Sequence, residues 1–339
     1  MLKFPLVMAD TSENQPAFDP LIQTENIAFR ADEMVDCEAC SRKNPPNRLK
    51  CMYCGGGLAV KAEFAEAISP ISRKLEAWEK GFNVISLSAV GDADIKKAAT
   101  LLQIESTLVE TILSAGTPLP LARVESSEEA ELLISRLTDL GFTCSIVTDE
   151  SLNTDDLPIR ASGIDISDGF ISVIDFNTRE VAPIPADELA LIVTGMLSKS
   201  KVDLIEKKGR GGKTKLLDET ETASDEAVID IYSRSDAKGF RINLAGFDFS
   251  CLGESKGLLA SENIRRLSVV LTENAPHARF VADYVSIRHT LSDVWEVDAR
   301  RDPKGRQRAG FGKVEFGSVA STSNVRQFTK YSRLQWQLL

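Results

Sequence analysis

Between residues 82 and 150 the apolar positions change period in a fixed order. Phe82 to Val90 reads as a strand. Asp92 to Gln103 and Glu105 to Ala115 space their apolar residues at helical intervals, and a strand, a helix and a strand follow. The third helix is the most sharply bounded. Ser126 and Ser127 offer N-caps, Glu128 and Glu129 lie near the positive helix end, and Gly141 marks the exit. The pattern predicts a βααβαβ module over 82–150.

From Pro158 to Pro276 the texture shifts to short alternating runs. Ile159 to Ile166, Phe170 to Phe176, Leu189 to Leu197, Ala227 to Ser233, Phe240 to Leu244 and Phe247 to Cys251 read as strands, divided by turn residues such as Ser167-Asp168-Gly169 and Asn177-Thr178. Leu258 to Asn274 gathers Leu259, Ile264, Leu267, Val270 and Leu271 on one helical face. The intervening Lys199 to Glu226 shows no apolar period and reads as a solvated loop, basic in its first half and acidic in its second. Ala62 to Lys80 has helical spacing interrupted near Pro70.

The expected division is an irregular lead (1–34), a cysteine-bearing ribbon (35–58), a helical linker (59–81), the α/β module (82–150), a strand-rich domain (157–276) and a C-terminal segment (277–339). The fold class is multi-domain α+β: a small zinc ribbon, a βααβαβ module, and an antiparallel β-barrel or sandwich capped by one helix.

A chain of 339 residues that is 43% hydrophobic can bury more than one core. Its formal charge of -10 disfavours nucleic acid and anionic lipid on average, so any basic site must be local. The C-terminal segment is such a place. Arg300, Arg301, Lys304, Arg306, Arg308, Lys313, Arg326, Lys330 and Arg333 outweigh Asp302 and Glu315, interleaved with Phe311, Phe316, Phe328, Tyr331 and Trp336. This reads as a basic arm that docks an acidic partner or the acidic body of its own protein. No apolar run approaches the ~18 residues needed to span a bilayer, and Pro5 breaks the short apolar start, so the expectation is a cytoplasmic protein.

Four of the six cysteines form two C-x-x-C pairs, CEACSRKNPPNRLKCMYC. Cys37, Cys40, Cys51 and Cys54 can converge as four thiolates on one zinc ion per chain. Four sulfur ligands leave no position for water, so the expected role is structural. The wording NPP between the pairs and CG after the last cysteine resembles the short zinc ribbons of bacterial multi-domain proteins and double-zinc-ribbon fingers. The spacing is also similar to the Ran-binding-protein type finger, some members of which read single-stranded RNA. That likeness implies Asn44 and Arg48 as polar contacts, while Val35 and Pro45 stand where stacking aromatics are expected.

NVISLSAV, IKKAATLL and SSEEAELLISRLTDLGFTCSIV resemble the C-terminal domain of the bacterial ribosomal stalk protein. In that family a glycine-containing turn between the first two helices docks translation factors. Gln103 and Glu105 stand at that turn here, and Lys96 is retained. GFISVIDFNTREVAPIPADELALIVTG, with its helix to follow, looks like the pleckstrin-homology superfold, which implies binding through loops and edges.

Catalytic constellations are sparse. There are two histidines, His277 and His289, and no serine-elbow, zinc-protease or dinucleotide fingerprint. GRGGKT at 209–214 lacks the glycine a phosphate loop needs at position 207. The expectation is a non-enzymatic zinc-ribbon adaptor or scaffold that binds a protein partner. The alternative is an RNA- or ribosome-associated protein whose contacts are Asn44, Arg48, Arg306, Arg308, Lys330 and Arg333.

Overall fold

The computed structural model describes residues 29–30, 32–59, 68, 71, 73–208, 214–308 and 314–339. The expected N-terminal lead lies almost wholly outside the described residues, as do most of residues 59–72 of the linker and, apart from Thr214, the GRGGKT segment. The chain forms two compact units, Met1–Ser69 and Pro70–Leu339.

In the first unit, β1 (Val35–Asp36) pairs antiparallel with β2 (Lys43–Asn44), Val35 opposite Asn44. Val35, Cys37, Cys51 and Leu58 form its small core.

The second unit contains the expected βααβαβ order: β3 (Phe82–Ala89), α1 (Ile95–Leu102), α2 (Ser106–Ser114), β4 (Leu119–Val124), α3 (Ser127–Asp139) and β5 (Phe142–Thr148). The strands make one antiparallel sheet with β3 central. Ser126 caps α3 by accepting from the Glu129 amide at 3.3 Å. Gln103 ends α1 with φ +58°, a left-handed conformation that glycine adopts most readily. Residues 73–80 depart from expectation and form turns instead of a helix. Their carbonyls are claimed from elsewhere, since the Arg123 guanidinium donates to Glu76 O and Glu79 O, and Arg73 is held by Glu79 at 2.7 Å.

After a single turn, α4 (Asp149–Leu152), come β6 (Ile159–Ser167), β7 (Phe170–Asp175), β8 (Val181–Pro185), β9 (Leu189–Lys208), β10 (Thr214–Ser233) and β11 (Phe240–Asn243). A 3-10 helix (Phe249–Ser255), α5 (Ala260–Asn274), β12 (Arg279–Val281), α6 (Tyr284–Leu291), β13 (Asp298–Arg308), β14 (Val314–Ser323) and α7 (Val325–Gln337) complete the chain. The strands from β6 onward form one nine-stranded sheet, ordered β13-β14-β9-β10-β11-β6-β7-β8, with β12 beside β9. It is one large curled, half-barrel sheet that ends at β13 and β8, where an antiparallel barrel or sandwich was expected. Its β11–β6 and β12–β9 pairs are parallel.

Three local expectations change. The loop expected from Lys199 to Glu226 is mostly strand, because β9 and β10 are each 20 residues long and pair throughout. Dense charge in their distal halves hides the alternation. The strand expected at Phe247 to Cys251 is a 3-10 helix, capped by Asp248, which accepts from Ser250 N at 3.0 Å. Val181–Pro185, unexpected because of Pro183 and Pro185, is a strand at the sheet's end, where a missing amide donor costs nothing.

The sheet's two faces bury different cores. Leu191, Val193, Val228 and Tyr232 join α6, α7 and the whole βααβαβ layer in one cluster. Leu189, Ile192, Ile229 and Ile231 pack with α5 and the 3-10 helix in the other. The βααβαβ layer thus shares its core with the large sheet.

The C-terminal segment is not an arm. Its middle supplies β13 and β14, and its last element is the 13-residue α7, in which Phe328, Thr329, Tyr331, Ser332, Arg333, Leu334 and Gln335 are all buried. Asn324 places this helix by acting as a stretch of missing strand: its side chain accepts from Ser198 N at 2.7 Å and donates to Met196 O at 2.9 Å, between the parts of β9 paired with β12 and β14.

Candidate metal centre

The four-cysteine segment folds as two copies of one turn, fourteen residues apart. In the first, Cys37 N donates to Arg42 O at 3.0 Å and Ser41 N to Cys37 O at 2.7 Å. In the second, Cys51 N donates to Gly56 O at 2.8 Å and Gly55 N to Cys51 O at 3.0 Å. Ser41 and Gly55 sit at the same point of their turns, with φ of +55° and +74°. At Gly56 an added Cβ would lie 3.3 Å from Ala39 Cβ, a tight approach, and in ordinary contact with the sulfurs of Cys54 and Cys37.

These turns bring the sulfurs of Cys37, Cys40, Cys51 and Cys54 within 4.8 Å of one another. Cys37 and Cys54 approach to 3.5 Å, and Cys40 and Cys51 to 3.6 Å. Sulfurs tetrahedrally bound to zinc at ~2.3 Å stand about 3.8 Å apart, so the set is pre-spaced for that ion. All four are free thiols.

The electrostatics also fit a cation. Burial pushes the Cys51 thiol up, but amide donors from Tyr53 and Cys54 and the Asn44 side chain outweigh it and bring Cys51 down to about 6. At Cys40 the Arg42 amide favours the thiolate, yet burial and the neighbouring sulfurs of Cys54, Cys51 and Cys37 raise it to about 12. Four sulfurs this close cannot all ionise unless a positive ion shares the space. A bound zinc would supply structural cross-linking through these four residues.

Asn44 is fully buried. Its Nδ2 donates to Arg42 O at 2.8 Å and to Cys51 Sγ at 3.4 Å, while its Oδ1 accepts from Met52 N at 2.9 Å. It ties one turn to the other and supports a thiolate, which corrects its expected role as a partner contact. Arg48 is exposed. The sequence reading overlooked Met52 and Tyr53, each 55% exposed at the tip of the second turn, with the Arg42 guanidinium 4.8 Å from the Tyr53 ring centre. Two large side chains inside a C-x-x-C pair were the available signal.

The other expected contacts are not gathered with this site. Arg306 and Arg308 fall in β13, on a stretch whose side chains lie outside the described residues. Lys330 and Arg333 point inward from α7, contrary to expectation. Lys330 meets Asp149 at 2.8 Å, and Arg333 donates to the carbonyls of Leu152, Asn153 and Asp156. These cations bind the chain to itself because the α4 turn leaves carbonyls and a carboxylate needing partners. Lys96, Gln103 and Glu105, from the surface suggested by the stalk resemblance, line a cavity of about 1200 Å³ with Arg123, His289 and Asp293. His277 is exposed, between α5 and β12.

A scan of known protein families and searches of curated proteins and of solved structures find no match. The stalk-like and pleckstrin-homology-like resemblances therefore rest on element order and sequence wording alone. Among the described residues, no helix is long and apolar enough to cross a membrane.

Proposed function

We propose that this chain is a non-enzymatic adaptor, in which a zinc-stabilised ribbon presents Met52 and Tyr53 to a protein partner in a reducing, cytoplasmic compartment. The observation that carries the reading is the convergence of four thiols within 4.8 Å. An all-sulfur set leaves no coordination position open to substrate, which favours a structural ion. Reduced cysteines suit a reducing compartment. Exposed Met and Tyr on a rigid turn are side chains that protein interfaces favour.

A second reading has its own observation. The guanidinium stacked on Tyr53, with Arg48 exposed nearby in sequence, suits a base stacked on an aromatic with its phosphate on arginine. One experiment separates the two. Wild type and Met52→Ala/Tyr53→Ala, both verified to retain zinc, are compared for capture of proteins from nuclease-treated lysate and for binding of a uridine-rich oligonucleotide at two salt concentrations. The adaptor reading expects a nuclease-resistant partner that the double variant loses. Oligonucleotide binding that falls steeply with salt and is lost in the variant transfers the assignment to RNA. Identical behaviour of the two proteins in both assays contradicts both.

A further inference from the structure

The distal halves of β9 and β10 form, with β13 and β14, a four-stranded antiparallel extension of the large sheet. Both lateral edges of this extension are open among the described residues. β13 ends the sheet, and β10 meets β11 only over Val228–Ile231, which leaves 214–227 with β9 on one side alone. Long open edges invite another strand, and proteins normally blunt them with charge, proline or bulges. Pro303 in β13 and the irregularities at Pro303/Gly305 and Leu216/Asp218 are such devices, but they interrupt only part of each edge.

The charges on the two edges are opposite. Across 298–308, Arg300, Arg301, Lys304, Arg306 and Arg308 face Asp298 and Asp302, a net of +3. Across 214–227, Asp218, Glu219, Glu221, Asp225 and Glu226 face Lys215, a net of -4. Part of the charge on each edge is used locally: Arg300 pairs with Asp302 at 2.9 Å and Arg301 donates to Ser318 Oγ at 3.2 Å, while Asp225 lies 3.9 Å from Arg288 and Glu226 accepts from Ala245 N at 2.9 Å. Two copies joined basic edge to basic edge, or acidic to acidic, would set like charges opposite each other, which disfavours a symmetric dimer. Basic edge against acidic edge has no such cost.

The strand registers make that contact specific. Arg301 pairs with Ala320, Ala320 with Val202 and Val202 with Glu221, so Arg301 and Glu221 stand at one level on opposite edges. Gly305, Gly317, Ile205 and Asp218 form another such row. β13 runs with β9 and against β10, so a second copy displaced sideways without rotation brings its β13 antiparallel to the first copy's β10. That displacement sets Arg301 against Glu221 and Gly305, beside Lys304, against Asp218. It also sets Gln307 against Lys215 and Ala299 against Ala223, so no like charges are opposed in these rows. An 11-residue strand gives a contact roughly 36 Å long.

We propose that this extension is a self-association surface, on which the basic β13 edge of one copy pairs with the acidic β10 edge of the next. The contact is head-to-tail, so it closes into a ring or continues as a filament according to the rotation between copies. A second copy offers an edge of matching length, direction and opposite charge.

The test is sedimentation velocity on the full chain across a salt series, with two charge-reversed variants. Lys304→Glu/Arg306→Glu/Arg308→Glu turns the basic edge to -3, and Asp218→Lys/Glu219→Lys/Glu221→Lys turns the acidic edge to +2. Wild type is expected to form species larger than the monomer at low salt and to dissociate at high salt. Each variant alone should be monomeric, and an equimolar mixture of the two should reassemble. A monomeric wild type at ~100 µM in low salt overturns the proposal, because the Debye length there is ~30 Å at 0.01 M and the attraction is nearly unscreened. Assembly that ignores salt, or variants that fail to reassemble when mixed, also overturns it. The wild-type salt series stands by itself if a variant fails to fold.

Discussion

Replacing Asp149 and Lys330 separately should have very unequal effects, because the two charges are differently provided for. The Asp149 carboxylate accepts from Arg123 Nε at 2.7 Å, Lys330 Nζ at 2.8 Å, Gly81 N at 2.9 Å and Asn83 Nδ2 at 3.2 Å. Its side chain is 7% exposed, and that of Lys330 13%. Asp149→Asn preserves shape but leaves two buried cations without an anion, a change that costs about 3–5 kcal/mol. Lys330→Met removes a charge that burial already disfavours, and leaves Asp149 its three other donors, so it should cost about 1 kcal/mol or less. In the double variant, removing the orphaned ammonium should recover about 1–2 kcal/mol relative to Asp149→Asn.

The assay is urea unfolding of the full chain, read at pH 7 and repeated in acid. Burial pushes the Asp149 carboxyl up, but Lys330 and Arg123 outweigh it and hold it below the ordinary carboxylate range. Its contribution is therefore complete above the unfolded value of about 3.9 and is lost as pH falls through the depressed folded value. The gap between wild type and Asp149→Asn should close over that acid window. Burial holds Lys330 below the ordinary lysine range even against the attraction of Asp149, so its cost is relieved only as pH becomes alkaline. The reasoning fails if Lys330→Met costs as much as Asp149→Asn. It fails equally if Lys330→Met leaves stability unchanged but abolishes binding of a partner, since Lys330 would then be a surface contact.

Two further substitutions test the packing and the ribbon. Gly195→Ala should destabilise the second unit by about 1–3 kcal/mol in the same assay, because the added Cβ would overlap the Phe328 ring of α7. In the ribbon, Gly55→Ala should raise the zinc concentration needed for folding and Ser41→Gly should lower it, each by about 1 kcal/mol, because both positions require positive φ. Zinc titration followed by circular dichroism measures both.

What the sequence revealed depended on whether an element buries one face. α3 was legible because it has a dry side and a wet side, β3 and β5 because short apolar runs are bounded by polar residues, and Ser126 and Gly141 mark the joins. The distal halves of β9 and β10 were hidden because their sequences are dense in charge, with too few apolar residues to set a clear period. α7 was misread for the opposite reason. Phe328, Tyr331 and Leu334 follow a helical period, but Arg326, Lys330 and Arg333 interrupt it and suggest an exposed arm, although Lys330 and Arg333 are consumed by Asp149 and the α4 carbonyls. The gathering of Cys37, Cys40, Cys51 and Cys54 was legible, since two C-x-x-C pairs at that spacing have few other uses. Asn44 was misassigned because its polarity says nothing of direction, and it faces the sulfur.

The measurement closest to the central claim is the metal content of the full chain purified without chelator, alongside Cys51→Ser. Four sulfurs within 4.8 Å predict one zinc per chain in the wild type, with the variant losing the metal and the ribbon's order while the second unit still unfolds cooperatively. Wild-type protein that is folded, reduced and free of stoichiometric metal, or that joins Cys37 to Cys54 by a disulfide, would contradict the account.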